Sequence, residues 1–294
     1  MSLSTTTPIF TATGHDVSFG GTIRSEWIKL RSIRSTWWTY AVLVVIAVGV
    51  GIQMSSSTSF AWFDGEVAQI GQQAAGVNVV NISTDVNVLV VSVLGVLVIA
   101  GEYSTGMIRS TFTAVPRRVS ALLAKASVFA ALTFVIGALA LAITIPFSIA
   151  LLAANGIDVR LDDPHYWGSM VGSLVYLVLI GLLAFGIGAL LRNVVSGMAT
   201  AIGLVLVLPL AIGLLAGVLG SQIWLRNLTA LLPFNLGRAM TTHPGYAEFS
   251  SPGSPVESPE GLWVLEPWQG ALGLVVWVVA LLIPAIVLLK GRDA

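Results

Sequence analysis

The apolar sequence ALLAKASVFAALTFVIGALALAITIPFSIALLA runs from Ala121 to Ala153 with a single charged residue, Lys125. At 1.5 Å per residue, a helix of this length extends ~50 Å, whereas the hydrocarbon layer of a bilayer is ~30 Å thick. We therefore expect one membrane-crossing helix whose start projects beyond the lipid at Lys125. We also expect a bend at Pro146, because proline removes a helix hydrogen bond. Two shorter spans with a turn near Gly137 are the alternative, and they would invert every later loop.

Five further stretches are apolar and long enough to cross a bilayer. Together the predicted spans lie at about 37–54, 82–100, 121–153, 170–191, 197–219 and 270–289. In lipid the backbone must satisfy its own hydrogen bonds, so such segments form helices. The sequence predicts an all-α integral membrane protein with six transmembrane helices and a single transmembrane domain over residues 37–291. An amphipathic interface helix over 23–36 and a flexible cytoplasmic tail over 1–22 precede it.

Composition agrees with a membrane location and argues against several functions. Hydrophobic residues make up 56% of the chain and charged residues 10%, below the ~25% that is typical of soluble domains. The formal net charge is zero, which argues against a nucleic-acid partner. Since there are no cysteines, disulfides, thiolate metal sites and cysteine catalysis are excluded. The chain opens on polar or mixed residues, so we expect no cleaved secretory signal.

Positive charges are distributed unequally between the two sides of the predicted bundle. Eleven of the 14 lysines and arginines fall on the side of the termini: Arg24, Lys29, Arg31, Arg34, Arg109, Arg117, Arg118, Lys125, Arg192, Lys290 and Arg292. The opposite side has only Arg160, Arg226 and Arg238. Because Lys and Arg next to spans stay cytoplasmic, we predict both termini inside the cell. The loops 53–81, 155–169 and 220–269 are then outside, the last being a large outer loop between helices five and six.

An apolar stripe precedes the first span. Its members fall within about a third of the helical circle: Ile23, Trp27, Leu30, Trp37 and Trp38. The cations Arg24, Lys29 and Arg31 lie off this stripe. The pattern predicts a helix that lies on the inner membrane surface and leads into span one. An ordinary basic flank that only anchors the topology is the alternative.

The segment between spans two and three has a second amphipathic pattern. It reads GEYSTGMIRSTFTAVPRR from Gly101 to Arg118. Its apolar positions recur with helical spacing: Met107, Ile108, Thr111, Phe112 and Val115. This predicts a short cytoplasmic helix that ends at Pro116. Such a helix either docks in the groove of a partner or lies on lipid headgroups, and its periodicity fits both.

Glycines are frequent in the later spans. Gly213 and Gly217 have the four-residue spacing that allows membrane helices to approach closely. We interpret this spacing as packing within one subunit rather than as a dimer face, since glycine is common in membrane helices.

The sequence SEWIKLRSIRSTWW at Ser25–Trp38, together with the segment Gly101–Arg118, resembles the permease subunits of type-2 ATP-binding-cassette (ABC) exporters. Within this class, the sequence most resembles the actinobacterial drug-efflux-like and sodium-export-like groups. The resemblance extends over nearly the whole chain and implies that the loop after span two is a coupling helix that contacts a separate ATPase. The residues that it implicates in coupling are Glu102, Gly106, Met107, Ile108, Arg109, Phe112, Pro116 and Arg117.

The resemblance also implies partners and a location. The sequence has no G-x-x-x-x-G-K-[ST] phosphate loop, so the chain is expected to be no enzyme and to hold no cofactor. ATP and Mg²⁺ would be bound by the partner ATPase. The implied working unit has two permeases, most simply a homodimer of this chain, and two ATPases in a bacterial plasma membrane. The implied activity is export of a hydrophobic or amphiphilic compound.

Other functions fit the sequence less well. An ion- or proton-coupled carrier needs ionisable residues within its spans, but Asp85 and Lys125 are predicted at the ends of theirs. A membrane enzyme is disfavoured because the three histidines, His15, His165 and His243, lie in a tail and two loops. A membrane scaffold without a transport role is the remaining alternative, and the coupling-like segment argues against it. We predict no catalytic or metal-binding residues, and the substrate-binding residues stay unassigned.

Overall fold

A computed structural model describes residues 18–58, 66–107, 118–219, 222–246 and 261–291. The helices are α1 (Phe19–Ser32), α2 (Arg34–Ser57), α3 (Glu66–Ser104), α4 (Arg118–Ala154), α5 (Pro164–Leu191), α6 (Val194–Ile202), α7 (Leu208–Val218), α8 (Ile223–Ala230), α9 (Pro233–Thr241) and α10 (Pro267–Gly291). A π-helical turn, Gly203–Val207, joins α6 to α7. Every regular element in the described part of the chain is helical.

Six of these segments are long and apolar enough to cross a membrane: α2, α3, α4, α5, the continuous α6–α7 segment and α10. This confirms the prediction of an all-helical chain with six membrane-crossing candidates, and it indicates a multi-pass membrane protein. We call the end of the bundle that carries α1 and the last residues of α3 and α10 the proximal end. The opposite end, where α3 and α10 begin, is the distal end.

α3 is the central helix of the bundle and packs against α2, α4, α5 and α6. The main core joins side chains of most spans around it, including Tyr40, Val91, Phe129, Tyr176 and Leu274. The helices α3 and α5 approach very closely at glycines, where a Cβ at Gly95 would collide with the carbonyl oxygen of Gly181. These small residues therefore fix α3 against α5 by close backbone contact.

The prediction of a loop over residues 53–81 is wrong for most of that range. α3 begins at Glu66, so residues 66–81 extend the helix at the distal end instead of forming a loop. The Gln73 amide accepts from the Arg160 backbone N–H at 3.2 Å and donates to the Arg160 carbonyl at 3.1 Å. The glutamines in residues 66–81 lower the hydropathy of this stretch, which is why the sequence pattern predicts a loop. In the structure they form hydrogen bonds with backbone groups of the facing segment.

The long apolar stretch that begins at Ala121 forms one helix, α4, with Pro146 in its interior. The alternative of two shorter spans is therefore wrong. Lys125 does not project away from the bundle as expected. Its side chain is buried, because two carboxylates from other helices surround it.

At the distal end, the short helix α9 is embedded between α5 and α10. Glycines permit this arrangement. An added Cβ at Gly172 of α5 or at Gly270 of α10 would collide with a carbonyl oxygen of α9, and one at Gly237 of α9 would collide with the Tyr176 ring. Tyr176 lies about 22 Å along α5 from its proximal end at Leu191. α9 therefore reaches below the distal surface into the bundle.

The described residues show packing within one subunit at glycines of α5 and α6, but not at Gly213 or Gly217. No atom of the described residues lies within 4 Å of a Cβ built at Gly213 or Gly217. By contrast, Gly181, Gly188 and Gly197 of α5 and α6 do make close contacts within the chain. The α6–α7 segment is the least buried of the six candidate spans, which leaves its glycine-spaced face open.

The N-terminal stripe does not continue from α1 into α2 as the helical wheel assumed. Ile33 has an extended backbone, with φ −83° and ψ 107°, and breaks the helix before Arg34. Leu30 points into the protein with Thr22 and Glu26, whereas Trp27 is exposed. The Trp37 indole donates to the carbonyl of Arg31 at 3.0 Å and bridges the break.

Candidate functional site

Four charged side chains from three helices meet at the proximal end of the bundle. We call Glu26, Lys29, Glu102 and Lys125 the ionic cluster. α1 contributes Glu26 and Lys29, the last turn of α3 contributes Glu102, and the second turn of α4 contributes Lys125. Because Glu102 lies two residues before the end of α3, the cluster lies at the start of the segment that joins α3 to α4.

Charges of opposite sign alternate around the ionic cluster. Lys125 Nζ donates to Glu26 Oε2 at 2.5 Å and to Glu102 Oε1 at 2.7 Å. Lys29 Nζ donates to Glu26 Oε1 at 2.8 Å and lies 3.9 Å from Glu102 Oε1. Among the described residues, two cations therefore face two carboxylates, and this pairing allows ions to remain charged in a low-dielectric site.

Three of the four residues are almost completely removed from solvent. The exposed fractions are 1% for Glu26, 4% for Lys125 and 7% for Glu102. Burial by itself would raise the pKa of the Glu26 carboxyl, but the charges and hydrogen bonds of Lys125 and Lys29 together hold that pKa below its ordinary value. Glu26 is therefore an anion at neutral pH although it is buried.

Helix stability alone does not explain the position of Glu102. A negative charge in the last turn of a helix opposes the helix dipole. One carboxylate oxygen, Oε2, is also buried and has no hydrogen-bond partner among the residues that the structure describes. A residue that breaks local preferences in two ways is typical of a functional position rather than of one selected for helix stability.

The next residue, Tyr103, contacts the other side of the bundle. The Arg192 guanidinium lies 5.2 Å from the centre of the Tyr103 ring. The same guanidinium donates to the Leu288 carbonyl at 3.4 Å, and Arg192 ends α5 with a left-handed φ of 52°. The last turn of α3 thus contacts α1 and α4 through Glu102, and α5 and α10 through Tyr103.

Three of the predicted coupling residues lie in the part of the chain that the structure describes. Glu102 lies in the last turn of α3, because the helix continues to Ser104, beyond the predicted end of span two at residue 100. Gly106 follows the helix with φ +73°, a conformation that favours glycine, and Met107 is exposed. The other predicted coupling residues lie outside the described residues: Ile108, Arg109, Phe112, Pro116 and Arg117.

The sequence reasoning missed the association of Glu26 with Lys125. One signal for it was present, because Glu26 is the sole acidic residue between positions 18 and 58, within an otherwise basic segment. Nothing in the sequence identified its partner, which is about a hundred residues away.

A second polar layer lies toward the distal end. Asp85 of α3 lies 3.7 Å from Arg238 of α9. The Asn81 amide donates to the Thr241 carbonyl and accepts from Ser173 of α5. Along α3, Asp85 and Glu102 are about 26 Å apart, close to the ~30 Å thickness of the hydrocarbon layer. The two polar layers are therefore separated by about one hydrocarbon thickness.

Further toward the distal end, His243 links the segment after α9 to the start of α5. Its Nε2 lies 3.0 Å from Asp163 Oδ2, and its Nδ1 accepts from the Gly245 N–H at 3.0 Å. Burial would raise the pKa of Asp163, but hydrogen bonds from His243 and from the His165 backbone, with the charges of both rings, lower it below its usual range. Because Nδ1 accepts from the Gly245 N–H, Nε2 is the ring nitrogen that donates to Asp163.

A scan of protein-family models found no match to this chain, and a search of curated proteins found no significant match.

Proposed function

We propose that this chain is the transmembrane permease subunit of an ABC exporter in a bacterial plasma membrane. ATP hydrolysed by a separate ATPase subunit would drive export of a hydrophobic or amphiphilic compound. The observation that carries the proposal is the ionic cluster, because it binds the last turn of α3 to α1 and α4. A subunit driven from outside needs such a connection between its contact segment and its spans.

The coupling role extends from this anchored turn into the following segment. Gly106 and Met107 begin it, and the apolar positions Met107, Ile108 and Phe112 would form the face that docks in the ATPase. The absence of a phosphate loop from the full sequence fits a chain that depends on a partner for energy. A homodimer would place two such segments side by side for two ATPases.

An ion-coupled carrier is less consistent with the described spans. Asp85 is the acidic side chain nearest to the middle of a span, and it is already paired with Arg238. The other acidic groups that face the bundle, Glu26 and Glu102, are paired with lysines at the proximal end. A carrier site would need an ionisable group that can exchange its partner for the transported ion.

The proposal is tested with the cassette ATPase encoded nearest to this chain, co-expressed with it. We expect the pair to co-purify and hydrolyse ATP, and the isolated permease to hydrolyse none. Replacing Phe112 by Asp would bury a charge in an apolar contact, which costs at least a few kcal/mol of binding. The F112D variant should therefore lose the ATPase while still inserting into the membrane.

The matched control is Ser110→Asp, which adds the same charge off the predicted docking face. It should retain the ATPase. ATP hydrolysis by the isolated permease, or normal binding and export by F112D, would contradict the proposal.

The orientation is tested by single cysteines in this cysteine-free chain. Cysteines at the exposed positions Ser57, Asp162 and Thr242 should react with a membrane-impermeant reagent in intact cells, since the distal end is proposed to face outside. A cysteine at the exposed proximal position Ser32 should react only after lysis. Labelling of Ser32→Cys in intact cells would reverse the proposed orientation.

A further inference from the structure

We propose that the ionic cluster forces α1, α2 and α4 to follow any displacement of the last turn of α3. The inference rests on the proposed function, because the displacing force would come from an ATPase on the segment after α3. It deepens that function by assigning Glu26 and Lys125 as positioning residues for coupling, in addition to the docking face.

The first step of the route is the pair of short contacts to Lys125. A single ammonium group bridges Glu102 of α3 and Glu26 of α1, at 2.7 and 2.5 Å. All three groups are buried, so separating them would leave unpaired charges in a low-dielectric site. Movement of Glu102 therefore carries α1 and α4 with it.

The second step leads from α1 to α2. Only Ile33 interrupts the two helices, and the Trp37 indole of α2 bonds the Arg31 carbonyl of α1 at 3.0 Å. The α1 helix cannot move far without displacing the start of span one. The buried hydrogen bond between Tyr40 of α2 and Thr133 of α4, at 2.8 Å, joins α2 directly to α4 further along the bundle.

Tyr103 contacts the opposite side of the bundle through a weaker type of interaction than the ion pairs of Glu102. Its ring meets the Arg192 guanidinium without a hydrogen bond, and its hydroxyl group is buried with no partner in the described structure. Polar contacts at the end of α3 therefore favour transmission toward α1, α2 and α4.

The test measures hydrogen–deuterium exchange of the permease–ATPase complex, with and without ATP and vanadate. In the wild-type complex, we expect nucleotide to change protection in peptides that cover residues 19–57 as well as in those near residue 104. The variant Glu26→Gln/Lys125→Met removes one charge of each sign and leaves Lys29 with Glu102. It should still bind the ATPase, but its nucleotide-dependent change should be confined to peptides near residue 104.

A cross-linking variant provides the rescue. Glu26→Cys/Glu102→Cys/Lys125→Met in this cysteine-free chain can be joined across α1 and α3 by a short bifunctional thiol reagent, because both carboxylates contact the same ammonium group in the wild type. Cross-linking should restore the nucleotide-dependent change in residues 19–57, whereas the unlinked form should lack it. The control pair, Arg24→Cys/Ile28→Cys, is exposed on one face of α1 and should show the wild-type change with or without reagent.

The outcomes are distinct. Failure of the wild-type chain to bind the ATPase would overturn the proposed function itself. Binding, followed by a wild-type exchange response in Glu26→Gln/Lys125→Met, would overturn only the assignment of the ionic cluster to transmission. The same conclusion follows if the wild-type complex shows no nucleotide-dependent change in residues 19–57, or if cross-linking fails to restore it.

Discussion

Replacing Lys125 by methionine is expected to lower the free energy of unfolding by ~3–5 kcal/mol, because it breaks a buried ion pair and leaves an uncompensated charge. Methionine keeps much of the length of the side chain but removes the ammonium group. Among the described cations, Lys29 would then be the one that Glu26 and Glu102, both buried, still share, and its side chain is one-third exposed. We expect a lower midpoint of thermal unfolding in detergent and faster tryptic cleavage after Lys29 and Arg31 as α1 separates.

Two further variants distinguish charge from packing. Arg24→Met removes an exposed cation from the same helix and should leave both measurements unchanged. Lys125→Met/Glu102→Gln leaves Glu26 with Lys29 and restores a neutral cluster, so it should be more stable than Lys125→Met alone. If adding Glu102→Gln destabilised the protein further, the balance of charges would not be the source of the stability.

Replacing Gly237 by alanine is expected to destabilise the distal end by ~1–3 kcal/mol, the usual range for overpacking in a tight core. The three atoms nearest to the added Cβ all belong to the ring of Tyr176, which is fully buried and cannot turn away. α9 would have to retreat from α5. Its contacts with α10 at Gly270 and with Asp85 through Arg238 would be disturbed. The measurement is thermal unfolding of the purified chain in detergent.

Gly217→Ala is the matched control for Gly237→Ala. Both changes replace a glycine by alanine, which by itself stabilises a helix by ~0.5–1 kcal/mol. A Cβ at Gly217 meets no atom of the described residues within 4 Å, so this variant should be as stable as the wild type or slightly more stable. Equal destabilisation by both variants would mean that the Tyr176 contact is not responsible. A loss of dimer in Gly217→Ala alone would locate a second copy on that face.

The candidate functional site was predictable only in part. The pattern at Gly101–Arg118 directed attention to the end of α3, and the structure places Glu102 there in a buried ionic cluster. The involvement of Glu26 and Lys125 could not be predicted. The local sequence does not reveal the contact. It is the same whether the acidic residue of the basic amphipathic helix and the lysine at the start of the span contact each other or face solvent.

By itself, the sequence determined the properties that depend on length and local composition. Six stretches long enough to cross the hydrocarbon layer must be helices there, because lipid offers their backbones no other hydrogen-bond partners. The tertiary structure decided the properties that depend on contact between distant residues. Polar residues 69–81 continue α3 because the facing chain binds their amides, and Gly181 and Gly237 are contact points while Gly213 and Gly217 are not. The charge of Lys125 is tolerated inside the protein because Glu26 and Glu102, from two other helices, neutralise it there, and only the folded chain brings those three residues together.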